Sequence, residues 1–142
     1  MIHLLSKEEC IHLLKENNYG HLGCNDGFNT YIYPTGYVYE ENSIVCQSLQ
    51  GSKIEIMRKN NRVCFQVETF NEKKEKNTVT LLGNYIEVTD IAQRYQILSN
   101  FIKKMIEIKT SQDLSVLMKK STAIRPIIYR ILVDEIIGNT EK

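Results

Sequence analysis

The chain has 142 residues, 42% of them hydrophobic and 25% charged, which suits one globular domain burying roughly 70% of its unfolded surface without a staple. Eighteen Lys and Arg against seventeen Asp and Glu leave a formal charge of +1, a balance with no electrostatic footprint for nucleic acid or an anionic membrane. The opening MIHLLSKEEC reaches charge too early for a signal peptide, and no apolar run approaches the ~20 residues that cross a bilayer. Cys10, Cys24, Cys46 and Cys64 form no C-x-x-C pair and no zinc-type spacing, so they read as buried, reduced thiols of a cytoplasmic protein.

Ser6-Lys7-Glu8-Glu9 is a capping box and predicts a first helix, with Cys10, Ile11 and Leu14 on its apolar side and an end at Tyr19-Gly20. The pattern then becomes short strands between turns. His21 to Cys24, the turn Asn25-Asp26-Gly27 and Phe28 to Tyr33 predict a hairpin. Pro34-Thr35-Gly36 interrupts that strand, Tyr37 to Tyr39 resumes it, and Ile44 to Ser48 forms the next. Ser52-Lys53-Ile54-Glu55 repeats the capping-box pattern and predicts a second helix that Asn60-Asn61 stops. Val63, Phe65 and Val67 alternate on a strand from Arg62 to Glu68, and Asn71 to Asn77 reads as a solvated hairpin tip.

Thr78 to Val88 predicts a long strand with a bulge or close approach at Gly83. Asp90 and Gln93 cap a long helix whose core stripe is read as Ile91, Tyr95, Leu98, Ile102 and Met105 or Ile106. A short helix over Ser111 to Lys120, a strand from Ile127 to Val133 and an outward turn at Gly138 complete the chain. Six or seven mostly antiparallel strands with three or four helices predict an α+β fold built on a small barrel, since closure removes aggregation-prone edges.

The segment from Cys46 to Lys53 carries the clearest chemistry. A strand ends, Gly51 permits a tight turn, and a helix opens at a hydroxyl followed by an ammonium group. Unpaired N–H groups and the helix dipole attract phosphate there, with Ser52 and Lys53 within reach of the same anion. The plainer alternative makes Ser52 only an N-cap and Lys53 only a solvated lysine. Of the three histidines, His12 faces solvent and His21 is the one expected to be partly buried. Tyr31, Tyr33, Tyr37 and Tyr39 give two neighbouring strands an aromatic face, for core or dimer packing or for ring stacking. No G-x-S-x-G elbow, G-x-G-x-x-G or Walker loop is present, so no nucleophilic triad is indicated and the catalytic residues stay unknown.

The stretches LSKEECIHLLKENNYGHLGC, YIYPTGYVYEENSIVCQS, GSKIEIMRKNNRVCFQVE, TVTLLGNYIEV and IIYRILVDEIIG resemble, in order and spacing, the pyridoxamine 5′-phosphate oxidase-like split barrels. They are most similar to the flavin-nucleotide-binding branch related to nitroimidazole-resistance proteins. The resemblance implies a homodimer with two FMN sites, each lined by both subunits. It implies that Ser52 and Lys53 hold the phosphate and that Pro34, Thr35 and Gly36 pass along the isoalloxazine edge. Gln47 and Ser48 would lie beside the ring and ribityl chain, with Thr78 facing the flavin.

Gln47 stands where that branch often has His, which argues against chemistry that needs the imidazole. Arg125 and Arg130 do not reproduce the substrate-binding Arg and His motif of the true oxidases, which argues against vitamin B6 oxidation. The expected function is therefore an FMN-dependent oxidoreductase passing electrons from a reduced nicotinamide to a small acceptor. The alternative is a non-catalytic protein holding FMN, haem or deazaflavin, with His21 as the candidate haem ligand.

Overall fold

The computed structural model describes residues 2–108 and 126–141. After a short strand, β1 (Ile2–Leu4), the chain enters helix α1 (Lys7–Glu16) through the expected capping box. Ser6 Oγ accepts from the Glu9 N–H and Glu9 Oε1 accepts from the Ser6 N–H, each at 3.1 Å. Cys10 and Leu14 are its buried side. The helix stops at Asn17, earlier than the expected Tyr19-Gly20, because those two residues pair with Gly36 and Thr35 and so start a strand.

The sheet is built from β2 (Tyr19–Asn25), β3 (Thr30–Gly36), β4 (Val38–Glu40), β5 (Ser43–Ser48), β6 (Arg62–Phe70), β7 (Lys76–Glu87) and β8 (Ile127–Glu141). Every pairing is antiparallel, in the order β3-β2-β6-β7-β8-β5-β4, with β1 added against the far end of β8. The two strands at the ends of that order, β3 and β4, are separated by Tyr37 alone. One residue cannot span an open sheet, so the sheet must curl until its edges approach. They meet at a corner without pairing, which leaves a split barrel. Tyr37 is 1% exposed, packs edge-on to Phe65 and donates its hydroxyl to the Leu14 carbonyl at 2.7 Å, pinning the corner to α1.

The α+β split barrel is the architecture the turn-punctuated sequence implies, with β1 as an addition. Pro34 lies inside β3 rather than interrupting it, since β3 is an edge strand where a missing N–H goes unnoticed. The register of β7 on β8 shifts between Leu82 and Gly83, the expected bulge. A side chain at Gly83 would collide with the Leu132 carbonyl oxygen and come within 2.9 Å of Ile131 Cγ2, so the close approach of β8 requires glycine. Gly138, read as an outward turn, is instead a strand residue paired with Val79. It is bare because Cys10 and Leu5 of the α1 region pack directly on it.

Two apolar clusters hold these layers. The barrel interior contains Leu22, Phe65, Val67, Val79, Leu81, Tyr85, Tyr129 and Ile131, with Ile54 and Met57 from helix α2 (Ser52–Lys59). A second cluster joins Val45 and Ile128, on the other face of β5 and β8, to Val88 and to Ile97 and Phe101 of helix α3 (Ile91–Ile108). β5 is thus covered on both faces, which explains its unbroken apolar run Ile44-Val45-Cys46.

α3 packs through Ile97 and Phe101, and of the expected stripe Leu98 packs against the same cluster. Ile91 and Tyr95 are 79% and 78% exposed, Leu98 and Ile102 are half-buried, and the side chains of Met105 and Ile106 fall outside the described set. The expected helix over Ser111 to Lys120, and Arg125, also lie outside the described residues. The cysteines are unpaired, with Cys10, Cys24 and Cys46 buried and Cys64 half-buried. None of the described helices is long and apolar enough to cross a membrane.

Candidate functional site

β5 ends at Ser48, paired with Ile127, and the chain crosses Leu49 and Gln50 to Gly51 before α2 begins. The N-cap is Gly51, one residue earlier than the capping-box reading placed it, and no side chain caps the helix. Ser52 therefore occupies the first helical position, and Glu55 closes the first turn by donating its N–H to the Gly51 carbonyl at 3.1 Å. Released from capping, Ser52 Oγ lies 3.2 Å from the Tyr33 hydroxyl. The Lys53 ammonium stands 5.5 Å from the centre of the Tyr33 ring.

Two hydroxyls, an ammonium and an uncapped helix start therefore converge on one patch. That donor set suits a phosphate dianion, because every group there is a donor or carries positive charge. Tyr33 is the member that sequence reasoning passed over in naming site residues, although the alternating tyrosines pointed at it. It is held by stacking on Tyr31, with centroids 6.4 Å apart and planes 20° apart. Tyr31 in turn donates to Asp26 at 3.3 Å. The Asn29 and Phe28 N–H groups hold the Asp26 carboxyl below the usual carboxylate range.

Pro34, Thr35 and Gly36 follow Tyr33 up the edge strand. Thr35 is buried and donates to the Tyr33 carbonyl at 3.1 Å, while Pro34 and Gly36 are exposed. Period-two alternation puts Gln47 and Ser48 on opposite faces of β5. Ser48 donates to the Leu49 carbonyl at 3.0 Å. Gln47 shares the face of Val45 and looks toward α3. With Asn18, Gly36, Tyr37, Val38, Phe101 and Lys104 it lines a cleft of about 250 Å³.

Thr78 stands apart. It pairs with Glu68 and Asn139, twelve residues along β8 from the Ile127 that faces Ser48. That is roughly 40 Å of strand at about 3.3 Å per residue. Thr78 shares the outer face of the sheet with Thr80, which accepts from Gln66 at 3.0 Å.

His21 is exposed on the same outer face, not partly buried, because Leu22 and Cys24 take the inward positions of β2. It packs edge-on to Tyr19. Arg130 is engaged with Glu40 at 3.1 Å and Ser43 Oγ at 2.9 Å. In the barrel interior the Tyr129 hydroxyl is buried beside the Cys46 thiol without a conventional hydrogen-bond partner. Burial pushes that thiol up to about 12.

Comparison with known proteins agrees with the fold. Over 87 residues the chain is 30% identical to an uncharacterized protein of Rhizobium meliloti (strain 1021), a match spanning 61% of this chain and 58% of that relative's length. The crystal structure of an FAD-binding protein from Mesorhizobium loti superposes with a TM-score of 0.79 at 26% identity, covering 100% of this chain and 99% of that one. A 5-nitroimidazole antibiotic resistance protein homologue from Bacteroides thetaiotaomicron shares the fold with a TM-score of 0.77 at 16% identity, over 99% and 87% of the two chains. Residues 6–140 match the family described as pyridoxamine 5′-phosphate oxidase, and the chain belongs to that family.

Proposed function

We propose that the protein is a homodimeric flavoprotein that holds FMN between its subunits and passes electrons from a reduced nicotinamide to a small acceptor. The observation that carries this reading is the convergence of Ser52, Lys53 and Tyr33 at the uncapped start of α2. One hydroxyl pair and one ammonium match the single terminal phosphate of FMN, and the FAD-binding character of the Mesorhizobium loti protein supports a flavin as the ligand. The backbone of Pro34, Thr35 and Gly36 continues from Tyr33 along the same strand and offers its polar groups to the ring edge. Gln47 and Ser48 flank the end of β5.

The outer face of the sheet supports the dimer. It exposes Ile32, Leu132 and Ile137, at 69%, 39% and 57%, an apolar surface suited to a second copy of the chain. Thr78 lies on that same face, away from the phosphate patch of its own protomer, so it would serve the partner's flavin.

When bound, the flavin supplies the hydride and electron chemistry. The chain's own part is to fix the phosphate, orient the ring and shield one side of it with the barrel corner. Purification under mild conditions, a visible spectrum, and a second spectrum after FMN addition and dialysis test the reading. A retained flavin spectrum that NADH or NADPH bleaches without oxygen is expected. A colourless protein that releases all added FMN overturns the flavin, and a flavin untouched by either nicotinamide overturns the electron-transfer role.

A further inference from the structure

We propose that the cleft between the barrel corner and α3 is a binding subsite for a small aromatic carboxylate, anchored by Lys104. As the acceptor's site it rests on the flavin reading above, because Gly36 and Gln47 belong both to the cleft and to the proposed flavin surroundings.

The cleft has a polar and an apolar wall. Asn18 and Gln47 contribute amides, and Lys104 carries the one formal charge among the described residues that line it. Val38 and Phe101 supply the apolar side. Lys104 is not a wandering surface lysine. Its ammonium donates to the Asn17 carbonyl at 3.1 Å and sits 5.8 Å from the Tyr37 ring centre. Tyr37 is itself pinned by its hydroxyl to Leu14. The Asn17 carbonyl and the Tyr37 ring thus help to hold the ammonium at the cleft, so an anion meets a pre-positioned partner and little ordering cost remains.

Size narrows the ligand. A cavity of roughly 150 Å³ admits a benzene ring, so about 250 Å³ accommodates one substituted ring and little more. A planar apolar body against Phe101 with a carboxylate toward Lys104 and the amides satisfies both walls.

Benzoate and its neutral isostere benzamide, titrated into the FMN-saturated protein by calorimetry and ligand-observed NMR, test the assignment. Benzoate is expected to bind roughly ten-fold or more tightly than benzamide, since a hydrogen bond to a charged group is the difference. Lys104→Met should bring benzoate to the benzamide level, and Lys104→Arg should retain the preference. Equal binding of the two probes to the unaltered protein overturns the proposal without any variant, as does benzoate affinity unchanged in a folded Lys104→Met protein. The same titration in flavin-stripped protein separates the two readings. Lys104-dependent benzoate binding in a protein that takes up no FMN keeps the subsite and removes the flavin. FMN binding with no discrimination between probes does the reverse.

Discussion

Replacing Lys53 by Met keeps the stem and removes the charge from the β5–α2 turn. In the structure the ammonium makes a cation–π contact with Tyr33 at 5.5 Å, worth about 0.5–1 kcal/mol at an open site. The fold should therefore survive the change almost unaltered. The proposed flavin phosphate should lose more, because a hydrogen bond to a charged group contributes about 1.5–3 kcal/mol. Lys53 is half-buried and Ser52 exposed, so solvent screening favours the lower end. That corresponds to roughly ten-fold weaker FMN binding at about 1.4 kcal/mol per decade.

Ser52→Ala should cost about 1 kcal/mol through a neutral hydroxyl. The assay is quenching of flavin fluorescence, run in parallel with riboflavin, which has the ring and ribityl chain but no phosphate. Riboflavin affinity should be the same in the parent and in Lys53→Met. The FMN loss should also shrink at high salt, as screening shortens the reach of the charge. Equal losses for FMN and riboflavin would refute the assignment, because Lys53 would then act through the turn's shape. Unchanged FMN affinity would refute it outright.

Three further outcomes follow from the packing. Gly83→Ala forces a methyl against the Leu132 carbonyl where β7 crosses β8 at its bulge. A loss of about 3 kcal/mol, read as a melting point roughly 10 °C lower, is expected, and a loss under about 1 kcal/mol contradicts the close approach. Tyr129→Phe removes a buried hydroxyl that lacks a conventional partner, so denaturant unfolding should show it neutral or more stable by about 1 kcal/mol; a clear destabilisation means the hydroxyl bonds firmly to Cys46.

The Arg58 guanidinium first, with the Tyr85 hydroxyl assisting, holds the Glu87 carboxyl below the usual range. A depressed carboxylate contributes stability that is present above its unfolded pKa and lost as pH falls through the folded one. The parent should thus exceed Glu87→Gln by under about 1 kcal/mol near neutrality for so open a pair. The gap should close in acid, and a gap that widens there contradicts the pairing.

What the sequence disclosed followed the range of the interactions. The α1 capping box and the β6 alternation of Val63, Phe65 and Val67 depend on neighbours within a few residues, and each formed where expected. The Gly83 bulge answers to distant Leu132 of β8, yet the glycine itself marked it. The barrel corner was harder to foresee, since only the sheet order reveals that β3 and β4 are its two edges. α3 carries apolar residues on more than one face, so its packing stripe could be drawn through Ile91 and Tyr95 as readily as through Ile97 and Phe101. β5 and β8 decided between them. β8 runs on past Gly138 because β1 and β7 pair with it there, a partnership no local pattern announces.

The candidate site divides the same way. Gly51-Ser52-Lys53 spelled out a helix start suited to phosphate, although Gly51 rather than Ser52 occupies the N-cap. Tyr33 joins it from nineteen residues upstream of Ser52. Gln47 meets Lys104 only because α3 returns over β5, so their cleft had no signature in either segment.

In the proposed arrangement a flavin is held where two chains meet. Size-exclusion chromatography with light scattering, read together with flavin absorbance at saturating FMN, decides whether it is. One species of two chains carrying two flavins is expected. A single chain carrying flavin, or a dimer carrying none, would contradict it.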